Sequence, residues 1–314
     1  MSVYKFLKRI NAHDLNQEVS KMITGRKNAP TMDDYVRSLN SDPVAHLAII
    51  LSAVIHDVDH RGVGNGQLAN EAPSMAARYR ETSLAEQNSF EISWDLLMAD
   101  HFRDLRAYIF SAPEDLVRFR QLLVNLVIAT DLFDKEANNL RKGRWAKAFD
   151  DSAGMDRDGN ALRATVLLEN IIQASDICHC MQHWHVYQKW MKKFFKECLC
   201  AHEQGRMEMI PSNFWYKGEL QFFDCYVIPL ARKLKDCHVF GVSSDECLNY
   251  AVRNRAEWEC RGETVLEEVS SVQLRRRLRT ISVDVRECLT LCICRLQPSP
   301  TKIQLLEENA DGKL

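Results

Sequence analysis

The first 177 residues contain no cysteine, and all eleven cysteines of this 314-residue chain follow them. No CxxC pair occurs among them, and the N-terminus lacks the apolar core and small-residue cleavage site of a secretory signal peptide. An odd number of cysteines without a secretion signal favours reduced thiols over a disulfide framework. The predicted location is therefore the cytoplasm, or the cytosolic part of a larger membrane protein.

Glycine and proline are scarce, with twelve and eight residues, and the net charge is only -2. Because apolar residues recur mainly at spacings of three and four, the composition predicts an all-helical protein. A nearly neutral chain gives no reason to expect nucleic acid as a partner. No apolar run reaches the roughly 18 to 20 residues of a membrane span, so no membrane segment is predicted.

The stretch LAIILSAVIHDVDHRGVGN (residues 47–65) ends an apolar segment with the polar residues His56, Asp57 and His60. At about 3.6 residues per turn, a helix would place His56 and His60 on one face with Asp57 beside them. Such groups are costly to bury unless something pairs with them. Imidazole and carboxylate are ligands that divalent cations accept, so the pattern is typical of a metal site. Capping of a helix C-terminus by histidine is the open alternative.

Apolar spacing also predicts the other helices. They cover residues 3–10, 43–57, 67–79, 161–176, 184–204, 213–235 and 245–260. Ser83 and Glu86 form the S-x-x-E pattern of a helix capping box, and Pro229 is expected to bend the helix that contains it. Asp176 is a carboxylate at the end of an apolar helix, so it too requires a partner.

Five segments, IHDVDHRGVGN, LAEQN, IATD, IIQASDICH and ELQFFDCYVIPL, occur in one order along the chain. Their order and spacing resemble those of the class I 3',5'-cyclic nucleotide phosphodiesterases of the HD superfamily. The residues of these segments are most similar to those in the phosphodiesterase domains of algal and protist cyclase–phosphodiesterase fusions. The resemblance implies a compact multi-helix catalytic domain over residues 1–262, followed by a partly helical, partly disordered tail over 263–314. It also raises the prospect of a cyclase or membrane region fused to this domain in the intact protein.

The family resemblance implies a two-metal hydrolase that opens cyclic nucleotides to 5'-monophosphates. A tightly held zinc would be bound by His56, Asp57, Asp176 and one further histidine, and Asp57 would bridge to a second ion, magnesium or manganese. Two neighbouring cations activate water and neutralise phosphate oxygens, which an anionic phosphodiester requires. In the family pattern His60 lies near the phosphate, while Glu86 and Thr130 hold the water shell of the second ion. A purely structural role is the open alternative for Glu86, as a helix cap, and for Thr130.

The family has a glutamine that contacts the purine, whereas this sequence has Glu219 there, with Phe222 matching the phenylalanine that stacks on the base. An ionised carboxylate only accepts hydrogen bonds. Guanine offers two adjacent donors, which a carboxylate can take together, while adenine offers one donor beside an acceptor. The sequence therefore predicts a preference for cyclic GMP over cyclic AMP. Exposure of Glu219 to solvent at a helix start is the alternative.

The family also carries an HN-x-x-H motif upstream of the HD pair, which supplies the general acid and the fourth ligand of the first metal. Only His13 and His46 precede His56 here, and neither lies in such a motif. His46 is interpreted as a structural histidine. We therefore expect a truncated gene model or fragment. If the chain is complete, a catalytically impaired enzyme or a nucleotide- or partner-binding domain is the alternative.

His179 stands where the family usually has asparagine, three residues after Asp176. A role in the purine pocket or in the structure is preferred for it. His179 and His183 are an i, i+4 pair that could hold a separate zinc. A last alternative retains the hydrolase but changes the substrate to a nucleoside triphosphate or a phosphomonoester; the stacking Phe222 argues against it.

Overall fold

The computed structural model describes the backbone of residues 3–11, 39–149, 157–237, 239–240 and 243–296, with side chains described up to residue 271. These residues are helical and contain no β-strand, as the sequence predicted. The helices are α1 (3–11), α2 (Pro43–Ile55), α3 (Asn65–Glu71), α4 (Pro73–Arg78), α5 (Leu84–Met98), α6 (Arg103–Ile109), α7 (Pro113–Ile128), α8 (Lys135–Phe149), α9 (Arg157–Asp176), α10 (Trp184–Glu203), α11 (Trp215–Phe222), α12 (Ile228–Asp236) and α13 (Glu246–Leu296).

Helices α2, α7 and α9 pack against one another and form the centre of the core. Helix α2 begins at Pro43, where the side chain of Asp42 accepts a hydrogen bond from Ala45 N over 3.0 Å and caps the helix. Its buried face carries small residues that let the neighbouring helices approach closely. The apolar residues predicted for α7 and α9 are buried there, including Phe119, Leu123, Val166, Leu167 and Ile171. This packing places the C-terminal ends of α2 and α9 side by side.

The predicted helix over residues 67–79 is wrong as one element, because Ala72 leaves the helical conformation before Pro73 and two short helices form. Proline disfavours the helical conformation of the residue before it, so the break follows from local sterics. The predicted end of the last helix near Cys260 is also wrong, since α13 continues to Leu296.

Residues Phe223–Val227 form a π turn between α11 and α12, in which Ile228 N donates to Phe223 O. Pro229 follows at once and has no N–H to donate to the carbonyl of Cys225, so a regular α-helical ladder cannot continue through this point. The bend predicted at Pro229 is thus replaced by a widened turn just ahead of it.

The chain divides into two compact units, Met1–Cys260 and Arg261–Leu314. The first holds all the residues discussed below. Residues 297–314 of the predicted tail and His13 lie outside the described residues. Within the described part of the chain, none of the helices combines the length and apolar character needed to cross a membrane.

Candidate metal centre and base pocket

His56 lies at the C-terminal cap of α2, where its backbone N–H donates to Ser52 O. Its ring Nδ1 lies 3.2 Å from Ala53 O. Because a carbonyl oxygen only accepts, Nδ1 carries a proton, so the lone pair of the neutral ring would be on Nε2. The helix end therefore fixes both the position and the tautomer of the imidazole.

Two carboxylates converge on this Nε2 from distant parts of the chain. Oδ2 of Asp57 and Oδ1 of Asp176 each lie 3.3 Å from it. Nε2 is buried, and neither contact has the alignment of a hydrogen bond, so the atom has no such partner among the described residues. The three ligand atoms all lie within 4.8 Å of one another. A buried imidazole lone pair facing two carboxylate oxygens fits a divalent cation, which would pair with all three atoms.

The pKa shifts within this group indicate that a bound cation would replace a proton on His56. Burial alone would lower the pKa of His56, but the attraction of Asp176 and then of Asp57 outweighs it and raises the pKa to about 10. The contact with His56 in turn lowers the pKa of Asp57. In the ion-free protein a proton on His56 thus neutralises the carboxylates. Because a ligand histidine must be neutral, cation binding would displace this proton.

His60 does not lie on the helix that carries His56, so the predicted common helical face is wrong. Helix α2 ends at Ile55, and Asp59 adopts a left-handed conformation with φ 61°. The turn is anchored by α5, since Ser89 Oγ donates to Val58 O over 2.8 Å and Asn88 Nδ2 donates to Asp59 Oδ2 over 3.1 Å. These contacts bring His60 back towards the carboxylates by a tight turn instead of by helical periodicity.

A second polar group centres on Asn65, the first residue of α3. Its side-chain Nδ2 donates to Glu86 Oε2 over 3.0 Å and to Asp131 Oδ2 over 3.2 Å, while its Oδ1 accepts from Ala85 N over 2.9 Å. Burial raises the pKa of Glu86, the Asn65 bond lowers it and the Asp131 charge raises it again, with a net upward shift. A charge on His60 lowers the pKa of both Glu86 and Asp57, so His60 lies within electrostatic range of both polar groups.

The capping box predicted for Ser83 and Glu86 is wrong. Ser83 is in the left-handed conformation, with φ 41°, and makes no cap bond to α5. Its Oγ donates instead to Asp131 Oδ2 over 2.8 Å. Asn65 and Asp131 are the residues that the sequence analysis missed in this group. The asparagine directly after Gly64 and the aspartate after Thr130 were the available signals.

Thr130 is buried at the end of α7. Its Oγ1 donates to Val127 O over 2.7 Å and so satisfies the last turn of that helix. Among the described contacts, none links this hydroxyl to the His56 group. Its assignment to a water shell therefore stays a prediction.

Glu219 lies inside α11 instead of facing solvent at its start, so the solvent-exposed alternative is wrong. Its Oε2 accepts a 2.6 Å hydrogen bond from the hydroxyl of Tyr187 on α10. Burial raises the pKa of Glu219 to about 7, although the Tyr187 bond opposes this shift. The carboxyl group therefore changes charge close to neutral pH.

Aromatic rings line the surroundings of Glu219. The ring of Phe222 stacks on Tyr226 with centroids 5.6 Å apart, and that of His179 lies parallel to Tyr187 at 6.5 Å. Burial lowers the pKa of His179, which favours its neutral form. These flat surfaces are suited to an aromatic base.

The helical i, i+4 geometry expected for a separate zinc at His179 and His183 is absent, because Gln182 is extended between them. His183 is exposed at the start of α10, and its Nδ1 faces Nδ1 of His185 at 2.6 Å. Among the described residues, the potential metal-binding group of three or more side chains contains His56, Asp57 and Asp176, and includes neither His179 nor His183.

Comparison with known proteins finds similarity to cyclic nucleotide phosphodiesterases in both sequence and structure. The family model for 3'5'-cyclic nucleotide phosphodiesterase matches residues 19–244. A probable 3',5'-cyclic phosphodiesterase, pde-6 of Caenorhabditis elegans, is 26% identical over 162 residues, which cover 52% of this chain and 20% of the relative. The cGMP-specific 3',5'-cGMP phosphodiesterase 3 of Dictyostelium discoideum is 20% identical over 230 residues, which cover 71% and 47% of the two chains. This chain thus spans between a fifth and a half of these curated relatives.

Solved structures share the fold. The phosphodiesterase domain of the RhoPDE fusion protein from the choanoflagellate Salpingoeca rosetta superposes with a TM-score of 0.58 at 18% identity, covering 84% of this chain and 90% of that domain. A second structure of the Salpingoeca rosetta rhodopsin phosphodiesterase domain gives a TM-score of 0.57 at 18% identity, with coverage of 78% and 74%. With the family model matching well over half of its residues, this chain belongs to the 3',5'-cyclic nucleotide phosphodiesterase family.

Proposed function

We propose that this chain hydrolyses 3',5'-cyclic nucleotides to nucleoside 5'-monophosphates at a divalent-metal centre. The observation that carries the proposal is the orphaned, buried Nε2 of His56 between the carboxylates of Asp57 and Asp176. Membership of the phosphodiesterase family supports the choice of reaction. His56, Asp57 and Asp176 would hold a zinc ion, and Asp57 would also contact a second ion, magnesium or manganese. When bound, these ions supply Lewis-acid activation of water and neutralise phosphate charge.

His60 is proposed to contact the phosphate of the nucleotide. Gly62 N donates to its Nδ1 over 3.3 Å, so the ring proton is on Nε2. Since the turn at Asp59 leaves the ring exposed near Asp57, the Nε2–H group can donate a hydrogen bond to the phosphate of the nucleotide.

Glu86 and Thr130 complete the proposed site as outer residues that orient water around the second ion. The support for Glu86 is its partial burial and its bond to Asn65, which holds the carboxylate in one orientation. Asp131 shares the same Asn65 amide and joins this group.

Base selection is assigned to Glu219, with Phe222 and His179 as the aromatic walls of the pocket. The Tyr187 hydroxyl occupies Oε2 of Glu219 and restrains the side chain. In its ionised form Glu219 accepts from the two donors of guanine, which favours cyclic GMP over cyclic AMP. The names of the relatives do not decide this point, since they include both a 3',5'-cyclic-AMP phosphodiesterase and a cGMP-specific enzyme.

Residues 1–262 form the catalytic domain in this proposal, and residues 263–314 are a tail without a catalytic role. The family model ends at residue 244, which supports this division. The rhodopsin phosphodiesterase neighbours suggest a cytosolic domain fused to a membrane region in the intact protein.

The test is turnover by the purified chain under control of its metal content. Protein stripped with a chelator is assayed on cyclic GMP and cyclic AMP before and after adding Zn²⁺ with Mg²⁺ or Mn²⁺, and the products are separated by chromatography. We expect 5'-monophosphates only after the ions are added. Failure to form them at any metal composition would overturn the proposed activity.

A further inference from the structure

Helix α13 begins at Glu246, after the residues 19–244 that match the family model. Its first turns belong to the unit that holds the proposed base pocket, and there Asn254 and Trp258 are 1% and 0% exposed. Neither residue takes part in the function proposed so far. Buried amide groups are normally hydrogen-bonded, so the partners of Asn254 indicate what it holds.

Asn254 is bonded to the loop between α9 and α10. Its Nδ2 donates to Cys180 O over 2.9 Å and to Gln182 O over 2.7 Å, so both amide protons are used on this loop. The loop consists of a short 3₁₀ turn, Cys178–Met181, followed by the extended residue Gln182. Regular helical bonding therefore does not fix its path, and the amide of α13 does. His179, a proposed wall of the base pocket, lies within the 3₁₀ turn.

Trp258, one turn further along α13, contacts the opposite side of the pocket. Its ring lies edge-on to the ring of Tyr187 with centroids 6.0 Å apart, and its Nε1 donates to Tyr216 O over 3.0 Å. Tyr187 is the partner of Glu219, and Tyr216 lies in the first turn of the helix that carries Glu219. The Tyr216 hydroxyl in turn donates to Glu259 O over 2.9 Å. Helix α13 therefore contacts both sides of the proposed base pocket.

We infer that Asn254 is a positioning residue for base binding, which acts through the loop that carries His179. Its two bonds hold this loop so that the His179 ring lies parallel to Tyr187, with an interplanar angle of 4°. The inference rests on the proposed function and adds to the base pocket a residue beyond the family match.

Loss of the Asn254 amide should weaken binding of the nucleotide more than the chemical step. Without the amide, two backbone carbonyls of the loop lose their donor, and the loop shifts to satisfy them elsewhere. This shift displaces His179. Asp176 is the last residue of α9 and precedes the loop, so that helix keeps it in place. A change that raises KM and leaves kcat intact is the signature of lost binding that does not depend on the transition state.

The test is steady-state hydrolysis of cyclic GMP by the chain loaded with Zn²⁺ and Mg²⁺, with Asn254→Ser and Asn254→Ala as variants. Serine keeps one donor of shorter reach and alanine keeps none, so KM should rise in that order. For alanine we expect a rise of about 5- to 100-fold, the range for loss of one stacking contact of a base. The kcat and the bound zinc should stay close to those of the parent. If Asn254→Ala does not fold, Asn254→Ser carries the test.

Two further variants separate positioning from a purely structural role. In a His179→Ala chain, Asn254→Ser should raise KM little further, because the wall that it positions is already missing. Asn170→Ala is the matched control, since Asn170 is also buried but its Nδ2 donates to Val166 O within its own helix. That change should lower the melting temperature and leave KM unchanged.

An unchanged KM in Asn254→Ser would overturn the inference and leave the proposed activity intact. So would a KM effect that is fully additive with that of His179→Ala, or a loss of kcat and zinc at unchanged KM. A parent chain that hydrolyses no cyclic nucleotide at any metal composition would overturn the inference together with the proposed function.

Discussion

The carboxylates of the proposed metal centre and of the proposed base pocket are held in opposite ways. The side chains of Asp57 and Asp176 are 68% and 32% exposed and are paired with an imidazole that their charge keeps protonated. Glu219 is instead enclosed and paired with a neutral phenol, and its pKa rises to about 7. The comparison teaches that one group keeps a fixed negative charge, which suits a cation, while the other changes charge within the neutral pH range.

Removing a ligand should have the largest effect. Asp176→Asn takes one of two carboxylates from the metal centre, so cation affinity should fall by more than the roughly 10- to 100-fold typical of outer-sphere changes. The measurement is metal content of the purified variant by mass spectrometry, together with kcat/KM. Asp236→Asn is the matched control, because Asp236 is likewise the last residue of a helix but is exposed. If Asp176→Asn retained full metal content, Asp176 would not be a ligand.

Glu219→Gln should have the next largest effect. A charge-assisted hydrogen bond contributes about 1.5–3 kcal/mol, so at pH 8 the ratio of kcat/KM for cyclic GMP to that for cyclic AMP should fall about 10- to 100-fold. Cation affinity should not change, since Glu219 is not in the ligand group. Glu208→Gln, at an exposed glutamate, should leave the ratio as in the parent. A ratio unaffected by Glu219→Gln would remove Glu219 from base selection.

Asn65→Ala tests the second polar group, where two carboxylates share one amide. Removing the amide leaves Glu86 and Asp131 without a common donor, so the free energy of unfolding should fall by about 1–3 kcal/mol. A carboxyl group whose pKa is higher in the folded than in the unfolded protein lowers the free energy of unfolding as pH rises between these two pKa values. The loss should therefore be greater at pH 8 than at pH 5. Urea unfolding measures it, with the exposed Asn70→Ala in the same helix as the control. Equal losses for the two variants would argue against the network.

The smallest expected effect is a shift of a pH profile. The preference for cyclic GMP should rise as pH increases through about 7, where Glu219 ionises. The Tyr187 bond lowers the pKa of Glu219, so Tyr187→Phe should move the midpoint to higher pH, by roughly one unit or less. Selectivity measured from pH 6 to 8.5 checks this. A midpoint that moves to lower pH would contradict the assigned hydrogen bond.

Local sequence patterns predicted most helices. They failed where a side chain bonds to a residue that is distant in the sequence. The start of α2 at Pro43 and the buried stripe of α7 follow from short-range rules. The capping box failed because Ser83 bonds to Asp131, 48 positions away, and no local rule sees that contact. The split before Pro73 was readable from the proline itself.

The sequence predicted which residues belong to the candidate site better than it predicted how they are arranged. His56 and Asp57 were singled out by type and spacing, the family resemblance added Asp176, and the structure brings the three together. The turn that returns His60 depends on bonds from Ser89 and Asn88, which periodicity cannot show. The raised pKa of Glu219 depends on burial that the sequence does not display.

The most direct measurement of the central claim is anomalous scattering at the zinc edge from crystals grown with Zn²⁺. The account predicts a peak about 2.0–2.2 Å from Nε2 of His56 and from one carboxylate oxygen of each of Asp57 and Asp176. A crystal in which that position carries no peak, or in which zinc binds only at the exposed pair His183 and His185, would contradict it.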